Sequence, residues 1–550
     1  MEKTVAVFGA GIAGLAAAHE FAHQGYRVLV YETNAEAGGF FRSARRAEDG
    51  NMPSEYSWHG FGPWYHNVFD ILKQIPFDDT ESLYDRVLSR PIDFGIAPEK
   101  GSAQFNDSRP VPVSRMLRMR GPDIFRWGWL MAKTWTAHRR SFVYFARQNA
   151  AAEFRPILSN LAWRTWKATF GPWIGSDWTN CSLHTMGEFF RKLFVSKPSH
   201  FHKADAEGPA WRHKQGDGWL VLRGPSNEFW FDRWVAYLKQ KGVRFFWEQP
   251  LIQLDYDGEK ITRAHVASGD EVKADAFVLA TNPFSAADIL KKTPALARKD
   301  QLRLFGPLVQ DGPHTQVSFR IAFSEKIVWP RKRAVFIIAD SEFNLTICPV
   351  EEVWAPDVNL GAGVRSLWTG TACVATVPGR VYGLPIVSCT KTQFIEEVRT
   401  QLFACEALNA FIKKANGGRG LETFPILRIE AWHEWRFSPD GIQPRQPKWV
   451  TTTNTQRYQP TQATPVPNLV LAGAHTRTEA DVWSIEGAVE SGRRAAQVIE
   501  PDVRVLPQYR PWWLRWPGLA DDVLFSFGGP HILMVILIAM IFILFLIMVE

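Results

Sequence analysis

Cysteine is scarce in this chain of 550 residues, and its distribution excludes several classes of protein. The five cysteines lie far apart and form no CxxC pair, at Cys181, Cys348, Cys373, Cys389 and Cys405. This pattern predicts neither a disulfide framework nor a metal site, and it is typical of a reducing compartment. No basic stretch followed by an apolar one opens the sequence, so we expect no signal peptide.

The chain also has only a small excess of charge of one sign. The chain carries 63 Lys+Arg against 56 Asp+Glu, a net charge of +7. Nucleic-acid binding needs a concentrated basic face beside a recognition module, and the sequence shows no such module, so we expect no nucleic-acid partner. Core-forming residues are plentiful, since 46% are hydrophobic and 22% charged, as in a globular protein. The length predicts two domains, or one large nucleotide-binding domain with a second domain inserted in it.

A long apolar run lies near the C-terminus. Residues 532–549 read ILMVILIAMIFILFLIMV and contain no charge, Gly or Pro. As a helix this run is about 27 Å long, close to the hydrocarbon thickness of a bilayer. It is preceded by the Trp and Arg residues of segment 510–516, which favour a membrane interface. We therefore expect a single-pass C-terminal anchor with the body of the protein on the cytoplasmic side; the alternative is a buried core helix.

Near the N-terminus, a glycine-rich turn joins an apolar run to a helix-forming stretch. The turn contains Gly9, Gly11, Ile12, Ala13 and Gly14. A second apolar run follows and ends on Glu32, 18 residues after the last of these glycines. This pattern predicts a dinucleotide site, with the helix N-terminus facing the phosphates and Glu32 accepting hydrogen bonds from a ribose.

A second pair of glycines, Gly38 and Gly39, follows soon after Glu32 and precedes Ser43. A glycine pair there lets the chain pass close to the dinucleotide, which favours tightly bound FAD. Glu32 in place of an arginine argues against a 2′-phosphate, and therefore against NADP.

A third segment lies at residues 464–498, where a short strand at 468–472 is followed by a helix that begins near Ser484. Together with the glycine-rich turn, this segment resembles the flavin amine oxidase and carotenoid desaturase superfamily. The stretch SIEGAVESGRRAA at 484–496 is most similar to the phytoene and zeta-carotene desaturase branch.

The resemblance implies an α/β fold with a Rossmann-type FAD-binding domain and an inserted α+β substrate domain. The apolar run at 532–549 adds a C-terminal transmembrane helix to this fold prediction. It implies FAD as the cofactor and adds Gly39, Ser43, Gly473, Glu486, Gly487 and Ala488 to the cofactor-binding residues. It also implies that the backbone at Leu251 faces the adenine.

The same resemblance divides the chain into parts. We expect FAD-binding parts at 1–80, 215–290 and 441–503, a substrate domain at 81–214 and 291–440, a juxtamembrane segment at 504–531 and an anchor at 532–549.

Glu55 and His59 are the candidate catalytic residues. They lie where family members carry an acid and a histidine before an aromatic run, so they are expected to face the flavin and handle a proton. The pocket is expected to have an aromatic lining, with candidates Trp58, Phe61, Trp64, Phe336 and Trp432.

Between Arg115 and Arg147, eight Lys/Arg alternate with aromatic residues and only one acid, Asp123. This segment favours docking to an anionic membrane; the alternative is an ordinary helix with a solvated basic face.

These features predict a membrane-anchored FAD oxidoreductase that desaturates a lipophilic isoprenoid or polyene, with quinone or oxygen as the electron acceptor. Two alternatives stay open. One is oxidation of an amine, porphyrinogen or sterol-like substrate, which a buried lysine near an aromatic pair would favour. The other is a non-catalytic relative that binds lipid or a prenylated protein.

Overall fold

The computed structural model describes residues 3–89, 92–105, 117–175, 177–195, 219–331, 334–438 and 441–549. Arg115, with which the basic segment begins, lies outside the described residues.

A five-stranded parallel sheet begins with the first apolar run of the chain. Val5 to Phe8 are all buried, and Val5 pairs with Val28 on one side and Ala276 on the other. In spatial order the strands are β21 (Leu469–Leu471), β13 (Ala276–Leu279), β1 (Thr4–Phe8), β2 (Arg27–Tyr31) and β9 (Arg244–Phe246). The chain therefore has the α/β fold with a Rossmann-like sheet that the sequence predicts.

A second, seven-stranded sheet forms the other large layer. In spatial order its strands are β18 (Ile426–Ala431), β14 (Val317–Phe323), β17 (Ser366–Ala372), β16 (Leu345–Pro349), β15 (Ala334–Ile338), β6 (Asp93–Ala97) and β7 (Gln104–Phe105). Its neighbouring strands are antiparallel except for β15 and β6, and every residue of β14 and β17 is buried. A sheet buried in this way can form one wall of an internal site.

The remaining strands form small antiparallel sheets. They are β10 (Leu251–Tyr256) with β11 (Ile261–Val266) and β12 (Glu271–Val272), β3 (Ala44–Arg45) with β4 (Pro53–Ser54), β5 (Gly60–Phe61) with β8 (Leu220–Val221), and β19 (Trp435–Ser438) with β20 (Gly441–Pro444).

Helices cover both sheets. Those of the first half of the chain are α1 (Ile12–His23), α2 (His66–Gln74), α3 (Leu83–Val87), α4 (Gly121–Trp135), α5 (Arg139–Val143), α6 (Ala150–Phe154), α7 (Asn160–Ile174), α8 (Leu183–Val195) and α9 (Asp232–Gln240). Those of the second half are α10 (Pro283–Lys291), α11 (Pro294–Ala297), α12 (Phe305–Leu308), α13 (Lys391–Phe403), α14 (Glu406–Lys413), α15 (Ile485–Ile499), α16 (Trp512–Ser526) and α17 (Ile532–Val549).

A glycine and a buried arginine fix α15 against α1. A Cβ on Gly492 would lie 2.3 Å from the carbonyl oxygen of Ala13, so only glycine allows this approach. The next residue, Arg493, donates to Glu20 of α1 at 2.8 Å and to Asp70 of α2 at 2.6 Å. The glycine-rich turn at the start of the chain and the segment near its end are therefore held together.

The chain ends in two helices, α16 and α17. Helix α17 has the same bounds as the transmembrane anchor that the sequence predicts. Within the described ranges, however, none of the helices combines the length and the hydropathy that a membrane span requires. The transmembrane part of the fold prediction is thus not supported.

The basic segment forms α4 and α5. Phe125 of α4 is 74% exposed, whereas Trp127, Leu130 and Trp135 pack against the main core and Met131 is fully buried. Two of the tryptophans expected to enter a membrane, Trp127 and Trp135, therefore contact the protein itself. Helix α4 therefore corresponds to the alternative interpretation, a helix of the body with a solvated basic face.

Two helical glycines allow a matched test of the packing of α1 on α15. Gly492→Ala should lower the free energy of unfolding by about 1–3 kcal/mol, because the methyl group overlaps the backbone of α1. Gly128→Ala is the control, since Gly128 lies inside α4 and a methyl group there would have no atom within 4 Å. It should leave stability unchanged or raise it by up to about 1 kcal/mol. Thermal unfolding followed by circular dichroism measures both, and equal melting temperatures would contradict the packing argument.

Candidate active site

The turn after β1 brings strand and helix into direct contact. Gly9 has φ +114°, and a Cβ on it would lie 2.6 Å from the carbonyl oxygen of Ala280 at the end of β13. A Cβ on Gly14 would lie 1.9 Å from the carbonyl oxygen of Gly9. Neither position has room for a side chain, so α1 begins immediately above the sheet.

Gly11 and Gly39 bring two stretches of backbone close together at the start of α1. A Cβ on Gly39 would lie 3.1 Å from the Cα of Gly11, and Gly39 has φ +56°. Ile12 and Ala13 form the first turn of the helix, and no side chain caps it. The N–H groups of this turn are therefore free to bind an anion, and the glycine surface above them fits a pyrophosphate.

Glu32 lies just beyond the end of β2 with its carboxylate buried. Oε2 accepts the Ala10 N–H at 2.6 Å, and Oε1 accepts the Asn34 N–H at 2.9 Å. Burial raises the pKa of Glu32. Because each carboxylate oxygen has two acceptor positions, Oε2 keeps one for a ribose hydroxyl. Leu251 begins β10 and packs in the same core cluster as Tyr31, the residue before Glu32.

Ser43 fixes the second glycine segment to the helical turn before α9. The Ser43 N–H donates to Asn227 Oδ1 at 2.7 Å, and the Asn227 N–H donates to Ser43 Oγ at 2.8 Å. Asn227 also donates to the carbonyl oxygen of Ala37 at 3.1 Å. This reciprocal pair holds the loop that contains Gly39.

The C-terminal segment forms the second half of the candidate site. Gly473 follows β21 with φ +148°, and a Cβ on it would lie 2.3 Å from Cε1 of His475. Its N–H donates to Ser491 Oγ of α15 at 2.9 Å. Ser484 caps α15 by accepting the Gly487 N–H at 3.1 Å. The turn after β21 and the start of α15 are thus one rigid unit.

Glu486 and Ala488 lie in the first turn of α15. The Glu486 carboxylate accepts the N–H groups of Asn67 and Val68, both at 3.0 Å, and so caps α2. Burial raises the pKa of Glu486 to about 7. The Ala488 N–H donates to the Ser484 carbonyl oxygen at 3.1 Å. The Glu486 side chain therefore binds a neighbouring helix and fixes the N-terminus of α15 against α2.

These segments meet at one internal cavity. Phe41 of the second glycine segment and Trp483, Ser484 and Ile485 at the start of α15 line it. Its aromatic side chains are Phe41, Tyr56, Trp58, Trp64, Tyr65, Phe189, Trp219 and Trp483. Polar lining comes from hydroxyl, amide and thiol groups, together with His59 and Lys448. No carboxylate belongs to the lining formed by the described residues.

The two candidate catalytic residues have different surroundings. His59 lines the cavity, packs on Phe41 with ring centroids 4.4 Å apart, and has no partner for its Nε2 among the described residues. Burial lowers the pKa of His59 to about 3, so the ring is neutral. Glu55 lies behind His59, beside a second small cavity, and accepts the Ser226 N–H at 2.6 Å. Burial raises the pKa of Glu55 to about 7.

The structure adds a residue that the sequence did not single out, Lys448. Its side chain is 1% exposed and its Nζ donates to the Tyr56 hydroxyl at 2.9 Å, to the Gln316 Oε1 and to the Gly175 carbonyl oxygen. Nζ also lies 4.5 Å from the ring centroid of Trp483. All of these partners are uncharged.

Burial without a counter-ion lowers the pKa of Lys448 to about 7. A substantial fraction of the amine is then neutral at physiological pH and can accept a proton. The only sequence signal was a single lysine beside Trp449 and Val450, a pattern too common to indicate a site by itself. The environment of Lys448 is decided by strand pairing and loop packing, which bring it together with Tyr56 and Gln316.

Of the aromatic candidates, two line the cavity and three do not. Trp58 and Trp64 are part of the lining. Phe61 packs against Trp230 in the main core, and Phe336 belongs to the core of the seven-stranded sheet. Trp432 lies behind the cavity wall, with its ring centroid 5.4 Å from that of Tyr56. These last three predictions are wrong because the residues face the cores on either side of the cavity.

The model of the family described as flavin containing amine oxidoreductase matches residues 12–500 of the chain. The chain belongs to this family. It is therefore an FAD-dependent oxidoreductase, as the resemblance implies, and the close Gly11–Gly39 contact and the uncapped start of α1 fit that cofactor. The prediction of a non-catalytic binding protein loses its support.

Several solved structures share the fold. An oxidoreductase from Methanosarcina mazei has 13% identity and a TM-score of 0.57, with 91% of this chain and 100% of that chain covered. Putrescine oxidase bound to putrescine has 14% identity and a TM-score of 0.56, with 91% of this chain and 99% of that chain covered. Cyclohexylamine oxidase from Brevibacterium oxydans IH-35A has 14% identity and a TM-score of 0.53, covering 92% and 100%. At these identities the similarity shows the fold alone. No curated protein sequence gives a significant match.

Two glycines with similar backbone angles test the role of the Gly11–Gly39 contact in this flavoenzyme. Gly39→Ala should lower the FAD content of the purified protein by about tenfold or more, because the methyl group enters the space beside Gly11. Gly50→Ala is the matched control: its φ is +66°, and the nearest atoms are the flexible guanidinium of Arg428 at 3.7 Å. It should bear the same backbone strain and keep its FAD. The ratio of flavin to protein absorbance measures both variants, and equal flavin loss would rule out a specific role for Gly39.

Proposed function

We propose that this flavoenzyme dehydrogenates an uncharged lipophilic substrate of the isoprenoid or polyene type at saturated carbon atoms. The lining of the cavity carries this proposal. It combines eight aromatic side chains with neutral polar groups and contains no carboxylate among the described residues. Such a lining binds apolar groups well and offers no partner for a buried positive charge.

The position of Lys448 further weighs against a cationic substrate. At neutral pH an alkylamine carries a charge, and binding it in a buried site requires a carboxylate or free aromatic faces. Here the rings of Tyr56 and Trp483 already face the Lys448 amine, at 4.9 and 4.5 Å from their centroids. A second ammonium group in the same cavity would be repelled by the protonated fraction of Lys448.

We infer that the three sequence segments hold FAD as the family resemblance implies. The residues are Gly9, Gly11, Ile12, Ala13, Gly14, Glu32, Gly39, Ser43, Leu251, Gly473, Glu486, Gly487 and Ala488. When bound, FAD supplies the acceptor for a hydride and its two electrons, which pass on to quinone or oxygen. In the dehydrogenation, one C–H bond breaks as hydride, the neighbouring C–H bond breaks as a proton, and the electron pair left behind forms the new C=C bond.

The proton needs an acceptor in the cavity, and Lys448 is the best placed. Its neutral amine has a free electron pair and a pKa of about 7. His59 is neutral too, but its pKa of about 3 makes it a much weaker base. Glu55 is engaged by the Ser226 N–H and lies outside the lining of the main cavity. We therefore propose that Lys448 accepts the proton from the substrate and that Glu55 and His59 have a supporting role.

Amine oxidation is the second candidate function. The observation that favours it is the same buried lysine, which lies among Phe40, Tyr56 and Trp483. A substrate amine that enters in its neutral form would avoid the repulsion described above.

We also infer that the protein is attached to a membrane through α17, with its body on the cytoplasmic side. The support is the composition of this helix, which has no polar residue, together with the exposure of side chains such as Ile538 (59%), Phe542 (60%) and Ile547 (64%). Keeping this many large apolar side chains in water is unfavourable. The arginines at 504, 510 and 515 precede the helix and suit the cytoplasmic side. Flotation of the full chain with lipid vesicles tests the attachment; recovery in the lipid-free fraction would contradict it.

Anaerobic mixing of the oxidised protein with a substrate panel tests the proposed reaction. The visible absorption of the oxidised flavin should bleach with isoprenoids or polyenes and should persist with putrescine and cyclohexylamine, because the cavity lining described here lacks a carboxylate. Bleaching by the amines alone would establish the second candidate function instead.

A lysine variant tests the proton acceptor. Flavin reduction by the active substrate should speed up as the pH rises through about 7, because Lys448 accepts a proton only in its neutral form. Lys448→Met should slow reduction by about 100-fold or more and abolish this pH dependence.

Tyr56→Phe is the companion variant. This variant removes one hydrogen-bond acceptor of the protonated Lys448 amine, so the pKa of Lys448 should fall. The rise of the reduction rate with pH should then move to lower pH. The spectrum of bound FAD reports correct folding in both variants. A wild-type reduction rate in Lys448→Met would exclude the assigned role.

A further inference from the structure

We propose that α16 lies in the headgroup layer of a lipid membrane, with its aromatic side toward the lipid, and that it holds the body of the enzyme at a fixed orientation on that surface. The proposal rests on the membrane attachment proposed above, and adds a second contact that α17 alone does not require.

Helix α16 exposes large apolar side chains and buries a carboxylate, unlike an ordinary helix on the surface of a soluble protein. Its outward side chains include Trp512, Trp516 and Val523, which are 73%, 67% and 60% exposed. Its buried residues are Leu514, Gly518 and Asp521, and the Asp521 side chain is fully buried. An ordinary surface helix buries its apolar side and exposes its carboxylates, so this arrangement requires an apolar neighbour on the outside.

The buried carboxylate of Asp521 joins three elements. It accepts a hydrogen bond from Arg140 Nε of α5 at 3.0 Å and from the Ile532 N–H of α17 at 3.0 Å. Arg140 also donates to the carbonyl oxygens of Gly529 and Pro530, at 3.0 and 3.2 Å, in the connection between the two helices. Helices α16 and α17 are therefore fixed to α5 and to each other.

A close approach of α16 to α5 and a second carboxylate strengthen the contact between these two helices. A Cβ on Gly518 would lie 2.3 Å from Nε2 of His138, so glycine lets α16 pack directly on the residue before α5. Asp522, the other acid of α16, accepts the Arg139 N–H at 2.7 Å. Both acids thus face the protein, and the exposed charge on the outward side is Arg515.

Lipid is the occupant that these features favour. Tryptophan and arginine together suit the headgroup layer, where an indole ring contacts both apolar and polar groups and a guanidinium meets phosphate. The outward face also continues into α17, which begins after the short connection 527–531 and has no polar residue. A protein partner or a second copy of the chain would cover the face of α16, but would have to cover α17 as well.

The contact between α16 and α5 also relates the lipid surface to the cavity. Ser141 of α5 is hydrogen-bonded to His184 of α8, with 2.7 Å between Oγ and Nδ1. Phe189 of the same helix α8 lines the cavity. A membrane that contacts α16 therefore lies at a set distance from the wall of the proposed substrate site.

Single cysteines on α16 test the proposal, because all five native cysteines are buried and should not react with a thiol probe. Val523→Cys and Leu519→Cys place a bimane label on the outward side, where the native residues are 60% and 44% exposed. Val328→Cys is the matched control, an aliphatic residue that is 48% exposed between β14 and β15. Each full-length holoprotein is incorporated into vesicles of phosphatidylcholine and phosphatidylglycerol, with or without bromine on the acyl chains near the headgroup.

Bromine should quench the two α16 labels by about twofold or more and leave the Val328→Cys label unchanged, because quenching requires contact with the lipid. If the vesicles carry the protein but the α16 labels respond no more than the control, the role of α16 is wrong and the attachment through α17 stands. If the labels become shielded from water without bromine quenching, a protein contact covers the face and the proposal is overturned. If the protein does not float with the vesicles, the membrane attachment fails as well.

Discussion

The site depends above all on the contact of α1 with its neighbours, where glycine replaces every side chain that would keep the backbones apart. Gly9 and Gly14 place the start of the helix directly above the sheet, and Gly492 brings α15 against the carbonyl of Ala13. This packing fixes the start of α1, whose first N–H groups have no side-chain cap, next to α15. An anionic dinucleotide matches that arrangement, and the cavity opens beside it.

Buried charged groups have two different environments in this molecule. Glu188 of α8 accepts hydrogen bonds from Arg191, Lys192 and Arg510, all within 2.9 Å, so these buried cations share a carboxylate counter-ion. Lys448 has only neutral oxygen partners in the described structure, and its pKa falls to about 7. The first arrangement stabilises a helix junction, whereas the second leaves a reactive amine beside an aromatic cavity. Such an unbalanced charge costs stability and is typical of functional sites.

The flavin segments were predictable because their information is local. Glycine spacing and an acid after the second strand each follow from neighbouring residues, and the helix of the third segment begins beside Ser484 as predicted. The cavity was not predictable in the same way. Phe61, Phe336 and Trp432 have the residue types of a pocket lining, yet packing turns them toward the cores or behind the wall. The membrane-docking prediction for the basic segment is not supported for the same reason, since Trp127 and Trp135 pack against the main core.

The sequence by itself therefore determined the family, the cofactor and the parallel sheet, because these depend on short motifs whose geometry is set by adjacent residues. It also determined that the last helix is apolar on all sides. Only the tertiary structure decided that Tyr56, Gln316 and Lys448 share one buried cluster, since they come from three distant parts of the chain. It likewise decided that Asp521 faces inward and the tryptophans of α16 face outward. Both outcomes depend on which surfaces pack together, and that choice is made by the whole fold.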